Sequence, residues 1–418
     1  MDHPAPPPLS RAALALARWG VGLIFFVNGA AFASWVSRIP ALRAGLSLSD
    51  GALGSVLFAM SCGVLLSFPL AGKGAQLLGS RQLALLAGVA LLVMLPMPFL
   101  IGIVPSLVLV MLEVGAALGT MQVAMNVLAV DVQARVARPI MSSLHGAWSA
   151  GGLVGAGLGS LAAHAGVTPL VHLGSVAGAL VGVLVAALAL LSKARLPARA
   201  GAASAPPRPS MTFQRGADRV LLGLGVVCFC AFLTEGALAD WSAVWLHDKT
   251  GASESLAALG YAVFAGAMTT MRMVGDRLLE VFGNVRLLRT LTTLGSVALA
   301  GALALARVDT AMLAFLLLGL GMATVVPTAF AAAGRRADVL AGGAAGEVSA
   351  ARAVALLSGF GYTGLLLGPP VIGWLAQATS LTGALALLVL LVATIVWLAP
   401  LLGDSRRPPR QARVAHAS

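Results

Sequence analysis

Residues 33–59 read ASWVSRIPALRAGLSLSDGALGSVLFA, and residues 239–265 read ADWSAVWLHDKTGASESLAALGYAVFA. The two overlay without a gap. Trp35 falls on Trp241, Gly54 on Gly260, and Phe58-Ala59 on Phe264-Ala265. Just upstream, NGA at 28–30 answers EGA at 235–237 with one residue of slippage. A chain that repeats itself across half its length is built from two like halves. The residues around each copy say what kind of halves these are.

Of the 418 residues, 59% are hydrophobic and only 10% charged. A soluble domain carries about 25% charged residues, so the composition is that of a polytopic membrane protein. The 49 glycines and the scarcity of aromatics suit helices that approach one another closely in lipid. A net charge of +12 raises nucleic-acid binding as an alternative, but the basic residues lie in short segments between apolar runs, so no nucleic-acid partner is expected.

A span needs about 20 mostly apolar residues. That window predicts twelve helices, near 15–37, 50–71, 82–101, 104–130, 140–165, 168–192, 219–246, 255–281, 285–306, 308–333, 348–377 and 379–402. The first begins at full spanning length, which favours an uncleaved helix over a signal peptide. Lys and Arg then set the orientation. Twenty-one of the 27 fall in one alternate set of connecting segments and termini. Only Arg38, Arg43, Lys249 and Arg307 fall in the other, with Arg272 and Arg352 inside spans. Both termini are expected in the cytoplasm of a bacterial cell, with the chain threading the inner membrane. The expected organisation is an N-terminal six-helix half (1–192), a basic Pro/Ala-rich linker (193–218), a C-terminal six-helix half (219–402) and a basic tail (403–418). The fold class is an all-α polytopic membrane protein with two like-oriented six-helix, pseudo-symmetric halves. Parallel repeats of this kind form transporters.

Between helices 2 and 3 stands GKGAQLLGSR, Gly72 to Arg81, and between helices 8 and 9 RMVGDRLLEVFGNVRLLR, Arg272 to Arg289. The first resembles the signature loop of the major facilitator superfamily, keeping its glycines and Arg81. It departs from the family form at Gln76 and Leu77, where an acidic and a basic residue usually stand. In the second, Arg272, Asp276, Gly283 and Arg286 look similar. More narrowly, NGAAFASWVSRIP, MSSLHGAWSAGG and EGALADWSA resemble a bacterial subgroup distantly related to fucose permeases. The resemblance covers nearly the whole chain. It implies a central cavity lined by helices 1, 4, 7 and 10, and a gating role for Arg81.

Ionisable groups inside spans are costly and mark function by default. Glu235 lies about 24 Å along helix 7 at 1.5 Å per residue, near the midplane. Glu113 on helix 4 reaches a similar depth, and Asn28 occupies the matching place in helix 1. Each carboxylate serves either the cavity or interhelical packing. Asp240 lies ~140° round the helix from Glu235, beside Trp241. It is an interfacial anchor or a gate, and Trp35 and Trp241 are candidate binding residues. Helix 10 adds Thr324, Thr328 and Pro327. His145, shallow in helix 5, is read as a proton relay or a hydrogen-bonded packing residue, and Asn126 as packing glue or a cavity donor. Arg272 and Asp276, four apart, can pair on one face as a gate or a clamp.

Cys62, Cys228 and Cys230 sit in apolar runs with no metal spacing, and read as packing residues. There is no Walker loop, HExxH, GxSxG or CxxC motif, so no enzyme activity and no cofactor are expected. The expected partners are a small-molecule substrate, a proton or other coupling ion, and the lipid bilayer, with the chain a monomer. A sugar-like solute leads as substrate. Efflux of a cationic drug by proton antiport is the alternative, and a non-transporting sensor or scaffold the second.

Overall fold

The computed structural model describes residues 10–133, 135, 140–194, 219–341 and 346–403. The predicted linker beyond Ala194 and the tail beyond Gly403 lie outside the described residues. So do the side chains of Asp276, Glu347 and Arg352.

The described residues form fourteen α-helices, two 3-10 turns and no strand. In the first half these are α1 (Arg11–Val36), α2 (Ile39–Gly45), α3 (Asp50–Leu78), α4 (Ser80–Met94), α5 (Val104–Gln133), α6 (Met141–His164) and α7 (Pro169–Ala194). In the second they are α8 (Arg219–Thr250), α9 (Glu254–Phe282), α10 (Asn284–Leu305), α11 (Val308–Met322), α12 (Val325–Ala341), α13 (Gly346–Ala378) and α14 (Leu381–Leu398). Eleven stretches among the described residues are long and apolar enough to cross a membrane. The remaining expected span, α6, is a 24-residue helix whose Gly, Ser and His content lowers its apolarity. An all-helical chain follows from the solvent: in hydrocarbon, backbone N–H and C=O groups must pair within their own segment.

Three departures from the expected spans have local causes. The chain turns at Ser37-Arg38, and Pro40 starts the short α2, because proline suits a helix's first turn but not its interior. The matching segment of the second half has no proline and continues as α8 to Thr250. Helix 3 ends at Met94, ahead of Pro96 and Pro98, where a 3-10 turn follows. Helix 10 is discontinuous, breaking at Ala323-Thr324 between α11 and α12, just before Pro327.

The repeat survives where the chain turns hardest. Gly79, between α3 and α4, has φ 84° and ψ 145°. Gly283, between α9 and α10, has φ 82° and ψ 147°. Positive φ favours glycine at both corners. The glycine runs of α6 and α13 also play one part twice. A Cβ at Gly151 would run into the carbonyl oxygen of Phe26 in α1, and one at Gly364 into that of Phe229 in α8. Small residues let each helix pair cross backbone to backbone.

The chain divides into two compact units. One comprises Met1–Pro206, Gly236–Ala265 and Leu366–Ala384, so α1 to α7 pack with the segments around Trp241 and Gly373. The other comprises Pro207–Glu235, Gly266–Leu365 and Leu385–Ser418.

Candidate functional site

In the first unit, α1 and α6 bring together Asn28 and Trp148. Asn28 is fully buried. The Trp148 indole N–H donates to Asn28 Oδ1 over 3.0 Å. The amide nitrogen of Asn28 is buried with no hydrogen-bond partner among the described residues. One turn along α1, Phe32 stacks on Trp148 with centroids 6.4 Å apart and planes 26° from parallel. Tyr261 of α9 meets the edge of Phe32 at 6.5 Å, and Phe264 backs Tyr261 at 6.2 Å. Phe32 and Trp148 are half-buried. The result is an aromatic wall with one amide donor left unused. Such a donor costs about 1–3 kcal/mol while it stays unpaired.

Trp35 and Trp241, the two repeat tryptophans, are both buried, and both indole nitrogens lack a hydrogen-bond partner among the described residues. Trp35 also meets Phe99 edge-on at 6.2 Å. Asp240 is half-buried. Glu113 is exposed on α5, with no hydrogen bond or ion pair among the described residues. His145 is exposed, with its ring perpendicular to Phe25 at 5.3 Å. Asn126 donates to the carbonyl of Gln122 in its own helix at 2.8 Å. Arg81 donates to Leu188 O and Ser192 Oγ, which ties α4 to α7 inside the first half.

In the second unit, Glu235 is half-buried in α8, and the charge acting on it comes from Arg272 of α9. Arg272 is exposed. Sequence spacing had set Arg272 against Asp276, whose side chain lies outside the described residues. Arg272 also acts on Glu235 of α8 through its charge, a relation between two helices that spacing does not give. Thr324 and Thr328 are buried at the break in helix 10, and Thr324 Oγ1 lacks a hydrogen-bond partner among the described residues. A Cβ at Gly275 would stand 3.0 Å from Thr324 Cγ2, so α9 packs closely at this break. No group of His, Cys, Asp and Glu able to hold a metal occurs among the described residues.

Sequence reasoning missed Phe32, Trp148 and Tyr261. A signal was present for Phe32, four residues after Asn28 and therefore on the same helical face. Trp148 and Tyr261 carried none, since nothing in a sequence says which helix stands opposite α1.

Apolar helices in a parallel repeat, with polar and ionisable side chains held inside the spans, define a polytopic membrane transporter rather than an enzyme. Residues 21–351 match the family model of the Major Facilitator Superfamily. An uncharacterised MFS-type transporter of Yersinia pestis is 35% identical over 89% of this chain and 92% of its own length. An uncharacterised transporter of Sinorhizobium fredii is 32% identical over 92% of this chain and 97% of its own. Among solved structures, the nucleoside transporter NupG superposes with a TM-score of 0.64 at 13% identity, covering 92% of this chain and 98% of that one. The chain belongs to the Major Facilitator Superfamily, with the all-α fold of that family.

Proposed function

We propose that this transporter moves a small polar organic solute, sugar-like in character, by proton-linked alternating access, with Glu235 as the group that carries the proton. The observation that carries this reading is Glu235 itself, a half-buried carboxylate in apolar α8 on which the charge of the exposed Arg272 acts. A carboxylate there is expensive unless a partner or a proton neutralises it, so it can exchange one for the other as access alternates. The aromatic wall of Phe32, Trp148 and Tyr261 supports a ring-shaped solute with an apolar face, and the free amide of Asn28 supplies a donor to its oxygens. The exposed guanidinium of Arg272 argues against a cationic substrate, and so against drug efflux. The reading includes an inner-membrane location with both termini in the cytoplasm, on the strength of the basic-residue asymmetry.

The test is Glu235→Gln in proteoliposomes, with a panel of labelled sugars and polyols. Uphill transport driven by a pH gradient should be abolished while exchange between equal pools continues, because exchange needs no net proton release. Retained uphill accumulation in the variant would place coupling elsewhere.

A further inference from the structure

At the end of α1 opposite the N-terminus, two arginines of the first half each reach a carboxylate of the second, all within the first compact unit. Arg38, in the turn between α1 and α2, is 1% exposed. Its Nε donates to His172 Nδ1 of α7 at 3.1 Å, and one terminal nitrogen donates to Val167 O at 3.2 Å. The other donates at 2.8 Å to Oε1 of Glu254, the first residue of α9. Arg43 of α2 pairs with Asp50, the first residue of α3, at 2.7 Å, and with Asp248 near the end of α8. The two cations differ in what their own half offers them. Asp50 lies in the same half as Arg43, so Arg43 keeps a counter-ion wherever the second half goes. Arg38 has no such reserve. Its own half gives it a carbonyl and an imidazole nitrogen that accepts because it carries no proton. Among the described residues, Glu254 is the one carboxylate paired with it.

Deeper along the same helices, the two halves meet through uncharged groups. Ser160 Oγ of α6 donates to Ser255 O of α9 at 2.9 Å. Ala33 of α1, Ala156 of α6 and Ala262 of α9 then form a buried cluster, with Leu259 packed against it. Phe32 and Tyr261, the next residues to Ala33 and Ala262, belong to the aromatic wall. The Arg38 pair, the serine contact and the alanine cluster therefore stand in series between the wall and this end of the spans.

We propose that Arg38 and Glu254 form the latch that holds this end closed, and that the neighbouring pair of Arg43 and Asp248 does not set the balance. The inference rests on the alternating-access reading and names the contact that biases it. A contact shifts a two-state equilibrium only by the difference in its worth between the two states. When the start of α9 moves away, Arg38 remains in its buried pocket without a counter-ion, which is costly. Arg43 loses Asp248 but keeps Asp50. Its side chain is 21% exposed and that of Asp248 31%, so water screens what is lost. The closed state is favoured through Glu254, although both pairs span the same two halves.

The test uses full-length protein in nanodiscs at one neutral pH, with the three native cysteines replaced by alanine and spin labels at Ala165→Cys and Ala378→Cys. Both positions are exposed, one in the α6–α7 turn and one at the end of α13, and neither belongs to the two ion pairs. Label distances report the conformation with no solute present, so the result stands apart from whether Glu235 carries a proton or which solute is moved. Glu254→Gln should raise the population of long distances by about threefold or more. Asp248→Asn should leave it near the parent's. Arg38→Gln should match Glu254→Gln, and the double variant should go no further than either, since all three remove one contact. Arg38→Gln carries the test if Glu254→Gln does not fold. A parent dominated by long distances, a Glu254 variant that follows the parent, an equal response to Asp248→Asn, or additive effects in the double variant would each overturn the proposal.

Discussion

Trp148 gives its indole N–H to Asn28 Oδ1, and the other end of that amide is buried without an acceptor among the described residues. A folded chain gains nothing from this arrangement by itself, since one satisfied bond fixes the amide's orientation and the unsatisfied end costs stability. The proposed function seats an oxygen of the solute at the open position.

Asn28→Leu should therefore separate stability from function. Removing the unpaired amide should leave stability unchanged or raise it by about 1 kcal/mol. Thermal unfolding in detergent reads the first effect. Uptake of the best solute from a sugar and polyol panel should fall by about tenfold, the worth of one hydrogen bond in a dry site. A destabilised variant with parental uptake would make Asn28 a packing residue.

Gly54 of α3 and Gly373 of α13 approach so closely that a Cβ at Gly54 would stand 2.9 Å from both Gly373 Cα and Pro369 O. Near them, Gln377 Oε1 accepts from Gly51 N at 3.3 Å, and Trp374 Nε1 donates to Ser55 Oγ at 3.4 Å. Backbone rather than flexible side chain is in the way, so Gly54→Val should cost about 1–3 kcal/mol. Its signature should be increased alkylation of a cysteine placed at Gln377. Unchanged labelling and unchanged melting would show that this crossing has slack.

Glu235 and Arg272 should behave as one charge-balanced unit. Arg272→Gln alone leaves a carboxylate uncompensated among apolar helices, and solute exchange should slow by about tenfold. Adding Glu235→Gln should return exchange to within about threefold of the parent, a non-additivity expected of coupled sites. Independent, multiplicative losses in exchange rate would disprove the pairing.

A reporter active only outside the cytoplasm, fused after Ser418, should stay silent in cells, as the basic-residue asymmetry requires. Strong activity would invert the proposed topology.

Sequence alone determined the class of protein, its helical spans to within a few residues at most ends, and its internal repeat. The reason is that lipid is an undemanding solvent to read: backbone groups must pair locally, so hydropathy sets helices, and two matching glycines set two matching corners. It also singled out Asn28, Glu235 and Arg272, because polar side chains stand out in apolar runs. Their partners were another matter. Arg272 was matched with Asp276 because those two share a helix, and spacing gave no hint that its charge would also act on Glu235 of α8. The overlay of residues 33–59 on 239–265 gave no hint that Arg38 would be buried against His172 and Glu254, some 134 and 216 positions away. Contacts between helices in a membrane are made by small side chains and a few hydrogen bonds, with no hydrophobic stripe to declare which face meets which. Which helices are neighbours, and therefore which polar groups meet, was decided by tertiary packing alone.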